Sequence, residues 1–230
     1  VYLTPHHQYP STVTLAPGRR LAPLQLARSA RMAVIEDDYD HEFHYEGRPV
    51  LPLASADALG SVVYIGTLSK VLAPGLRLGY VVAPQPLLER AAAIRSFVDL
   101  SGDRVLEAAA AELLESGEVG RHIRRARRLY QSRRDAFAEA LRARLGDTLQ
   151  FTPPSGGMAL WCRTRGVDPP AWARAAHTRG VEFQIGRRFS FDGRNIPHVR
   201  LGFAGLDERA LAEAAARMQA ALADLRRETT

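Results

Sequence analysis

The sequence predicts an α/β protein, in which a mixed, mostly parallel sheet is flanked by helices and followed by a smaller α+β domain. Short apolar segments alternate with helical segments along the chain, which is typical of a sheet with helices on its faces. One connection, 71–77, is too short for a parallel crossover and therefore predicts an antiparallel strand within that sheet. Gly146-Asp147 then ends a long helical segment, and shorter strands and helices follow it.

The predicted elements follow in a regular order. Strands are expected at 1–4, 33–36, 61–66 and 78–82, and then near 148–152, 157–162, 181–185 and 197–203. Helices are expected at 17–30, 85–100, 103–117, 119–145, 169–179 and 207–227, and Asp207 is the expected N-cap of the last one. This order predicts that 1–118 is part of a large domain, that 119–146 is a long bridging helix and that 147–230 is a small domain.

Composition and charge narrow the class of protein. An apolar fraction of 46% is ordinary for a globular chain, and no segment has the run of roughly 20 apolar residues that spans a bilayer. The single cysteine, Cys162, is interpreted as a buried strand residue and fits a reducing compartment, so a cytoplasmic location is expected. The net charge of +6 comes largely from arginines in 121–128 and 133–134. We interpret these as the solvated face of a helix rather than as a nucleic-acid site.

Polar side chains follow several predicted strands, at the sheet edge where ligands bind in open α/β folds. The clusters are His6-His7-Gln8, Asp37 to Asp40, and Thr67 to Lys70. Arg77 begins the antiparallel strand and so belongs to the same edge. Carboxylate, phenol, hydroxyl, amine and guanidinium groups in one crevice suit an anionic, nitrogen-containing cofactor. A metal site is not expected, because His41 and His44 lack the four-residue spacing that places two zinc ligands on one helical face.

Two of these clusters resemble motifs of a known family. The segment 66–80, Gly-Thr-Leu-Ser-Lys-Val-Leu-Ala-Pro-Gly-Leu-Arg-Leu-Gly-Tyr, resembles the lysine signature of fold-type-I aminotransferases, which use pyridoxal 5'-phosphate. The segments 35–43 (Ile-Glu-Asp-Asp-Tyr-Asp-His-Glu-Phe) and 4–10 (Thr-Pro-His-His-Gln-Tyr-Pro) are similar to one branch of that family. This branch is the aminotransferase-like domain of MocR-type regulators in the GntR superfamily. The resemblance covers essentially the whole chain and implies a homodimer.

The resemblance implies a role for each polar cluster. Lys70 is implied to form the Schiff base with the cofactor, Asp37 to bind the pyridine nitrogen, and Tyr39 to donate to the phenolate oxygen. Asp38 competes with Asp37 for the nitrogen, and strand alternation places the two on opposite faces. The resemblance also implies that Thr67, Ser69 and Arg77 bind the phosphate of the cofactor. His7 is a further implied cofactor-binding residue.

Arg200 is the candidate ligand for the carboxylate of an amino acid. In the predicted strand 197–203, Val199 and Leu201 share one face, and Arg200 lies on the other. A planar guanidinium can bind a carboxylate through two parallel hydrogen bonds. The alternatives are Arg187 and Arg188.

These residues predict a pyridoxal-phosphate-binding, aminotransferase-like domain that acts on an amino acid or a small amine. The match to the MocR branch favours the effector-sensing part of a transcriptional regulator. A free-standing aminotransferase would need the same residues, and a cofactor-free dimerisation fragment is a third interpretation. The chain begins where such domains are already under way, so we expect part of the phosphate site and the winged helix that contacts DNA to lie outside it. Thr12 stands where the family usually has glycine, and Glu107 where it has glutamine.

Overall fold

The computed structural model describes residues 1–48, 50–58 and 60–228 and divides the chain into two compact units. The first unit comprises Val1–Gln8 and Val13–Ala126, and the second comprises Tyr9–Thr12 and Arg127–Thr230. Within the described ranges, no helix combines the length and the apolar character that crossing a bilayer requires.

The first unit is built on a four-stranded mixed sheet. Its strands are β1 (Tyr2–Leu3), β2 (Val34–Asp38), β3 (Val62–Thr67) and β4 (Gly79–Val82), and its helices are α1 (Leu21–Ser29), α2 (Gln85–Val98) and α3 (Arg104–Glu115). The order is β1-β2-β3-β4, with β1, β2 and β3 parallel and β4 antiparallel to β3. The prediction of one antiparallel strand is confirmed. Burial alternates along β2 and β3, and Ala27 of α1 packs against Val34 and Val62 on the buried face.

The second unit is built on a four-stranded antiparallel sheet. The long helix α4 (Glu118–Leu145) begins in the first unit and continues into the second. The strands of the second unit are β5 (Leu149–Gln150), β6 (Ala159–Thr164), β7 (Gln184–Ile185) and β8 (His198–Gly202), and its other helices are α5 (Pro169–His177) and α6 (Glu208–Glu228). The sheet order is β5-β6-β8-β7. Trp172 of α5 is fully buried and donates its indole N–H to the carbonyl of Met218 on α6, at 3.0 Å. Asp207 accepts the backbone N–H of Ala210 at 2.8 Å, which confirms the predicted N-cap.

Several predicted elements, among them the strands at 1–4 and 181–185, are shorter in the structure, and proline accounts for two others. The helix predicted at 17–30 is a 3-10 turn (Pro17–Arg19) followed by α1. Pro23 has no N–H and is tolerated only in the first turn of a helix, so α1 begins at Leu21. The strand predicted near 148–152 is the two-residue β5, because Pro153 and Pro154 follow it closely and proline cannot donate to a sheet.

Cys162 lies in β6 and has no exposed surface, which confirms the interpretation of this residue as a buried strand position. Burial raises the pKa of its thiol far above the usual value. The thiolate is the nucleophilic form, so Cys162 is not a candidate nucleophile.

Thr12 occupies a backbone conformation that favours glycine. Its φ is +61°, in the left-handed region, where a β-branched residue is strained by roughly 1–2 kcal/mol. We expect Thr12→Gly to raise the free energy of unfolding by about 1 kcal/mol, which for a chain of this size is a rise in Tm of roughly 2–4 °C. The control is Thr14→Gly, since Thr14 is not among the described residues with positive φ, and glycine there should lower Tm. Thermal unfolding followed by circular dichroism decides this, and a fall in Tm for both variants would contradict strain at Thr12.

Candidate functional site

The polar clusters of the first unit lie at one edge of its sheet. β2 ends at Asp38 and β3 at Thr67, and the parallel register pairs Asp37 with Ile65 and Asp38 with Gly66. Because the carboxyl ends of these two strands coincide, the residues that follow them are neighbours. This is the edge at which the sequence predicts a ligand site.

The close approach of a ring favours glycine at position 66. The Tyr80 side chain of β4 lies against Gly66, and a Cβ at this position would come within 2.2 Å of the ring. This contact accounts for the glycine that begins the lysine motif, four residues before Lys70.

Lys70 lies in a tight turn directly after β3. The backbone N–H of Ser69 donates to Thr67 Oγ1 at 3.1 Å, and the Thr67 hydroxyl donates to the carbonyl of Leu78 at 3.3 Å. The N–H of Leu72 donates to the carbonyl of Leu68 at 2.9 Å and closes the turn around Lys70. Ser69 is buried, whereas Lys70 is exposed. The turn therefore holds the backbone and leaves the amine accessible.

Arg77, the predicted phosphate ligand, is also exposed. It follows the 3-10 turn Pro74–Leu76 and has a left-handed φ of +52°. The backbone thus reverses at Arg77 immediately before β4, at the same edge of the sheet as the Lys70 turn.

Asp37 and Tyr39 are half-buried, and both take part in hydrogen bonds within the first unit. The hydroxyl of Tyr2 donates to Asp37 Oδ2, and the hydroxyl of Tyr39 donates to the carbonyl of His7 at 2.9 Å. Burial, together with the bond to Asp37, raises the pKa of Tyr2 to about 12. Tyr2 therefore stays protonated and remains a donor to Asp37.

Asp38 is fully buried and lies at the centre of a polar network. Its Oδ2 accepts the Tyr64 hydroxyl at 2.8 Å and lies 3.0 Å from His6 Nδ1 and 3.2 Å from His41 Nδ1. Burial alone would raise the pKa of Asp38, but the close contacts with His41 and His6 outweigh burial and hold that pKa well below its usual range. Burial alone would lower the pKa of His41, but the neighbouring Asp38 carboxylate outweighs burial and raises it. We call Asp38, His6, His41 and Tyr64 the Asp38 network.

His7 is engaged by a carboxylate. Its Nδ1 lies 2.7 Å from Asp40 Oδ1, and both side chains are 2% exposed. In the part of the chain that the structure describes, no group of histidine, cysteine and carboxylate side chains has the geometry of a metal site.

Arg200 lies on β8 in the second unit. It is partly exposed between the buried Val199 and Leu201, as strand alternation predicts. Its Nε is buried and makes no hydrogen bond, and no described carboxylate lies within ion-pair distance of its guanidinium. Arg187 and Arg188, the alternatives, are exposed on a 3-10 turn (Gly186–Phe189).

Residues 14–218 match the family of class I and II aminotransferases, to which the chain belongs. It is 33% identical to aromatic-amino-acid aminotransferase 1 of Thermococcus litoralis, over 95% of this chain and 52% of that protein. It is 34% identical to the probable rhizopine catabolism regulatory protein MocR of Rhizobium meliloti, over 93% of this chain and 43% of that protein. The chain thus spans about half the length of these relatives.

Solved structures show the same fold. The kynurenine aminotransferase of Pyrococcus horikoshii, in complex with PMP, matches with a TM-score of 0.90 and 31% identity, over 97% of this chain and 56% of that one. The multiple substrate aminotransferase of Thermococcus profundus matches with a TM-score of 0.91 and 30% identity, over 99% and 57%. The predicted class, a fold-type-I aminotransferase-like protein with relatives among MocR-type regulators, is confirmed.

Sequence reasoning missed three features of these sites. It did not foresee that Tyr2 would bind Asp37, that Asp38 would gather two histidines and a tyrosine, or that a ring would cover Arg200. Only the second had a signal in the sequence, because alternation placed Asp38 on the face of β2 opposite to Asp37.

Proposed function

We propose that this chain binds pyridoxal phosphate through Lys70 and is the effector-sensing part of a MocR-type transcriptional regulator, with an amino acid or small amine as ligand. One observation carries the proposal. Lys70 is the single lysine in the sequence, and it lies exposed where β3 ends beside the end of β2, in a chain of the aminotransferase family.

The side chains at this edge suit each part of the cofactor. When bound, pyridoxal phosphate supplies an aldehyde that joins to amines and a ring that withdraws electrons. The exposed amine of Lys70 is free to make the covalent link. Asp37 would accept a hydrogen bond from the ring nitrogen, and the bond from Tyr2 does not prevent this, because a carboxylate has about four acceptor positions. Tyr39 would donate to the phenolate oxygen.

The phosphate would bind to cations and hydroxyls at the same edge. Arg77 is exposed and offers a charge-assisted, bidentate contact. The other proposed ligands are Thr67, Ser69 and His7. The Asp38 network supports Asp37 as the ring partner, because Asp38 is already bound on the opposite face by three side chains.

Arg200 would bind the carboxylate of an amino-acid ligand. A buried, unpaired guanidinium N–H is costly without a partner, and an anionic ligand would satisfy it. Arg187 and Arg188 are exposed on a turn and have no such requirement.

The regulator interpretation is supported by the match to MocR, and the proposed protein would be a homodimer that contacts DNA only through a winged helix outside this chain. A free-standing aminotransferase is the second candidate, supported by 33% identity to the aromatic-amino-acid enzyme over 95% of this chain. Incubation with pyridoxal phosphate, an amino acid and a 2-oxo acid separates the two, since only the enzyme forms the exchanged products over many turnovers.

The test of cofactor binding is titration of the purified chain with pyridoxal phosphate, followed by borohydride reduction and peptide mapping. We expect a new visible absorbance and a stable pyridoxyl label on the peptide containing Lys70. The amino terminus of Val1 is the other amine in the chain, so a label confined to Val1 would contradict the proposal. An absence of both absorbance and label would favour the cofactor-free interpretation.

A further inference from the structure

Arg200 is supported in the second unit by aromatic rings. Its guanidinium carbon lies over the Tyr9 ring, 5.0 Å from the centroid. Tyr9 meets Phe189 edge to face, with centroids 5.3 Å apart and planes at 85°. Phe189 in turn packs against Trp161, with centroids 5.6 Å apart and planes at 72°. Three rings in succession therefore connect the guanidinium of Arg200 to Trp161 of β6.

The sheet holds Arg200 from both sides. Arg200 is in register with Trp161 of β6 and with Gln184 of β7, so the three side chains form a row on one face. Trp161 is itself held by His198, whose ring stacks on the indole at 4.9 Å with planes at 9°. Trp161, the neighbour of Arg200 in the sheet, is thus in contact with the rings of both Phe189 and His198.

A guanidinium held over an aromatic ring keeps hydrogen-bond donors available. In a cation–π contact the positive charge lies over the face of the ring, and the ring does not take up the N–H groups as a carboxylate would. An ion pair with a carboxylate of the protein would instead occupy those N–H groups. Arg200 has the first kind of contact, and the described salt bridges of the second unit do not include it.

We propose that Tyr9 is a positioning residue of the carboxylate site, whose ring holds the Arg200 guanidinium with its N–H edge ready for a ligand. The inference rests on the proposed role of Arg200. An unsupported arginine loses considerable rotamer freedom when it binds an anion. The contact with the Tyr9 ring removes much of that freedom beforehand, so the ligand binds more tightly.

Nuclear magnetic resonance tests the positioning without a cofactor. The Nε–Hε signal of Arg200, assigned by its loss in Arg200→Lys, should shift in Tyr9→Leu through loss of the ring current and stay unchanged in Tyr9→Phe. Tyr130→Leu is the matched control, because it removes another arginine–tyrosine contact, with Arg133 at 5.9 Å. The indole signal of Trp172 reports that the unit remains folded.

A second measurement tests the contact between Tyr9 and Arg200 in the unmodified chain, so its result does not depend on whether a variant folds. In the unmodified chain, nuclear Overhauser effects should join the Tyr9 ring protons to the Arg200 side chain. Their absence, or an unchanged Arg200 signal in a folded Tyr9→Leu variant, would overturn the positioning role.

Ligand binding in the presence of pyridoxal phosphate tests the consequence. L-phenylalanine and 2-phenylethylamine differ by the carboxylate alone. Tyr9→Leu should weaken L-phenylalanine about tenfold and leave the amine unaffected, with Tyr9→Phe close to the unmodified chain. If Arg200→Lys weakens neither ligand, the proposed carboxylate role of Arg200 fails and the inference fails with it. If Arg200→Lys is selective for L-phenylalanine but Tyr9→Leu is not, the positioning role of Tyr9 alone is overturned.

Discussion

Replacing Lys70 by alanine is expected to abolish the covalent attachment of pyridoxal phosphate. Lys70 is the single lysine, and its turn leaves the amine exposed, so no other side chain can supply the nucleophile. The expected result is complete loss of the visible absorbance and of the borohydride-stable label within the chain. Absorbance titration and mass spectrometry of the reduced protein measure both.

Lys70→Arg is the matched control for charge. Arginine keeps the positive charge but cannot be deprotonated in a protein, so it cannot act as the nucleophile. We expect Lys70→Arg to lose the covalent label as completely as Lys70→Ala. Retention of the label in either variant would show that the amine at Val1 is the reactive group, and the assignment of Lys70 would be wrong.

Removing the carboxylate of Asp38 is expected to destabilise the first unit strongly. The side chain has no exposed surface, and its loss leaves His6, His41 and Tyr64 without their common partner. Breaking a buried charge pair on one side typically costs about 3–5 kcal/mol, and we expect Asp38→Ala to lower the free energy of unfolding of this unit by about 3 kcal/mol. Hydrogen exchange of the peptides containing β2 and β3 reports this loss locally.

Asp37→Ala is the control, because it removes the same group from the next residue of the same strand. Asp37 is half-buried and bound by the exposed Tyr2, so its removal should cost about 1 kcal/mol or less. Equal losses of protection for Asp37→Ala and Asp38→Ala would show that the Asp38 network does not stabilise the sheet edge.

The stability of the first unit should decrease both when the pH is lowered and when it is raised. The pKa of Asp38 is depressed by folding, so its contribution is present above the unfolded value of about 4 and is lost as the pH falls below it. The pKa of His41 is raised by folding, so its contribution is complete below the unfolded value of about 6.5 and is lost as the pH rises through the folded value. Protection of β2 and β3 should therefore be greatest between about pH 4 and 6.5. In Asp38→Ala this maximum should flatten, and a maximum that persists would contradict the network as its cause.

The sequence alone was sufficient wherever one local rule decided the structure. The short connection 71–77 excluded a parallel crossover and so determined the direction of β4. The two-residue period of strands separated Asp37 from Asp38, and Val199 from Arg200. The position of Lys70 after a strand, with Arg77 close behind it, likewise depends only on neighbouring residues.

The tertiary structure decided which side chains meet across distant segments. Asp38 is contacted by His6, from the segment that follows β1, and by Tyr64 of β3, and Arg200 is covered by Tyr9, nearly the whole chain away. Neither contact follows from a period or a spacing, because each depends on how the strands are ordered and how the turns between them fold back. Hydrophobic patterning specifies which face of a strand is buried, but it carries no information about which distant polar group will meet a buried charge. That choice is made when the packed sheet excludes water, since a buried carboxylate must then find its partners within the protein.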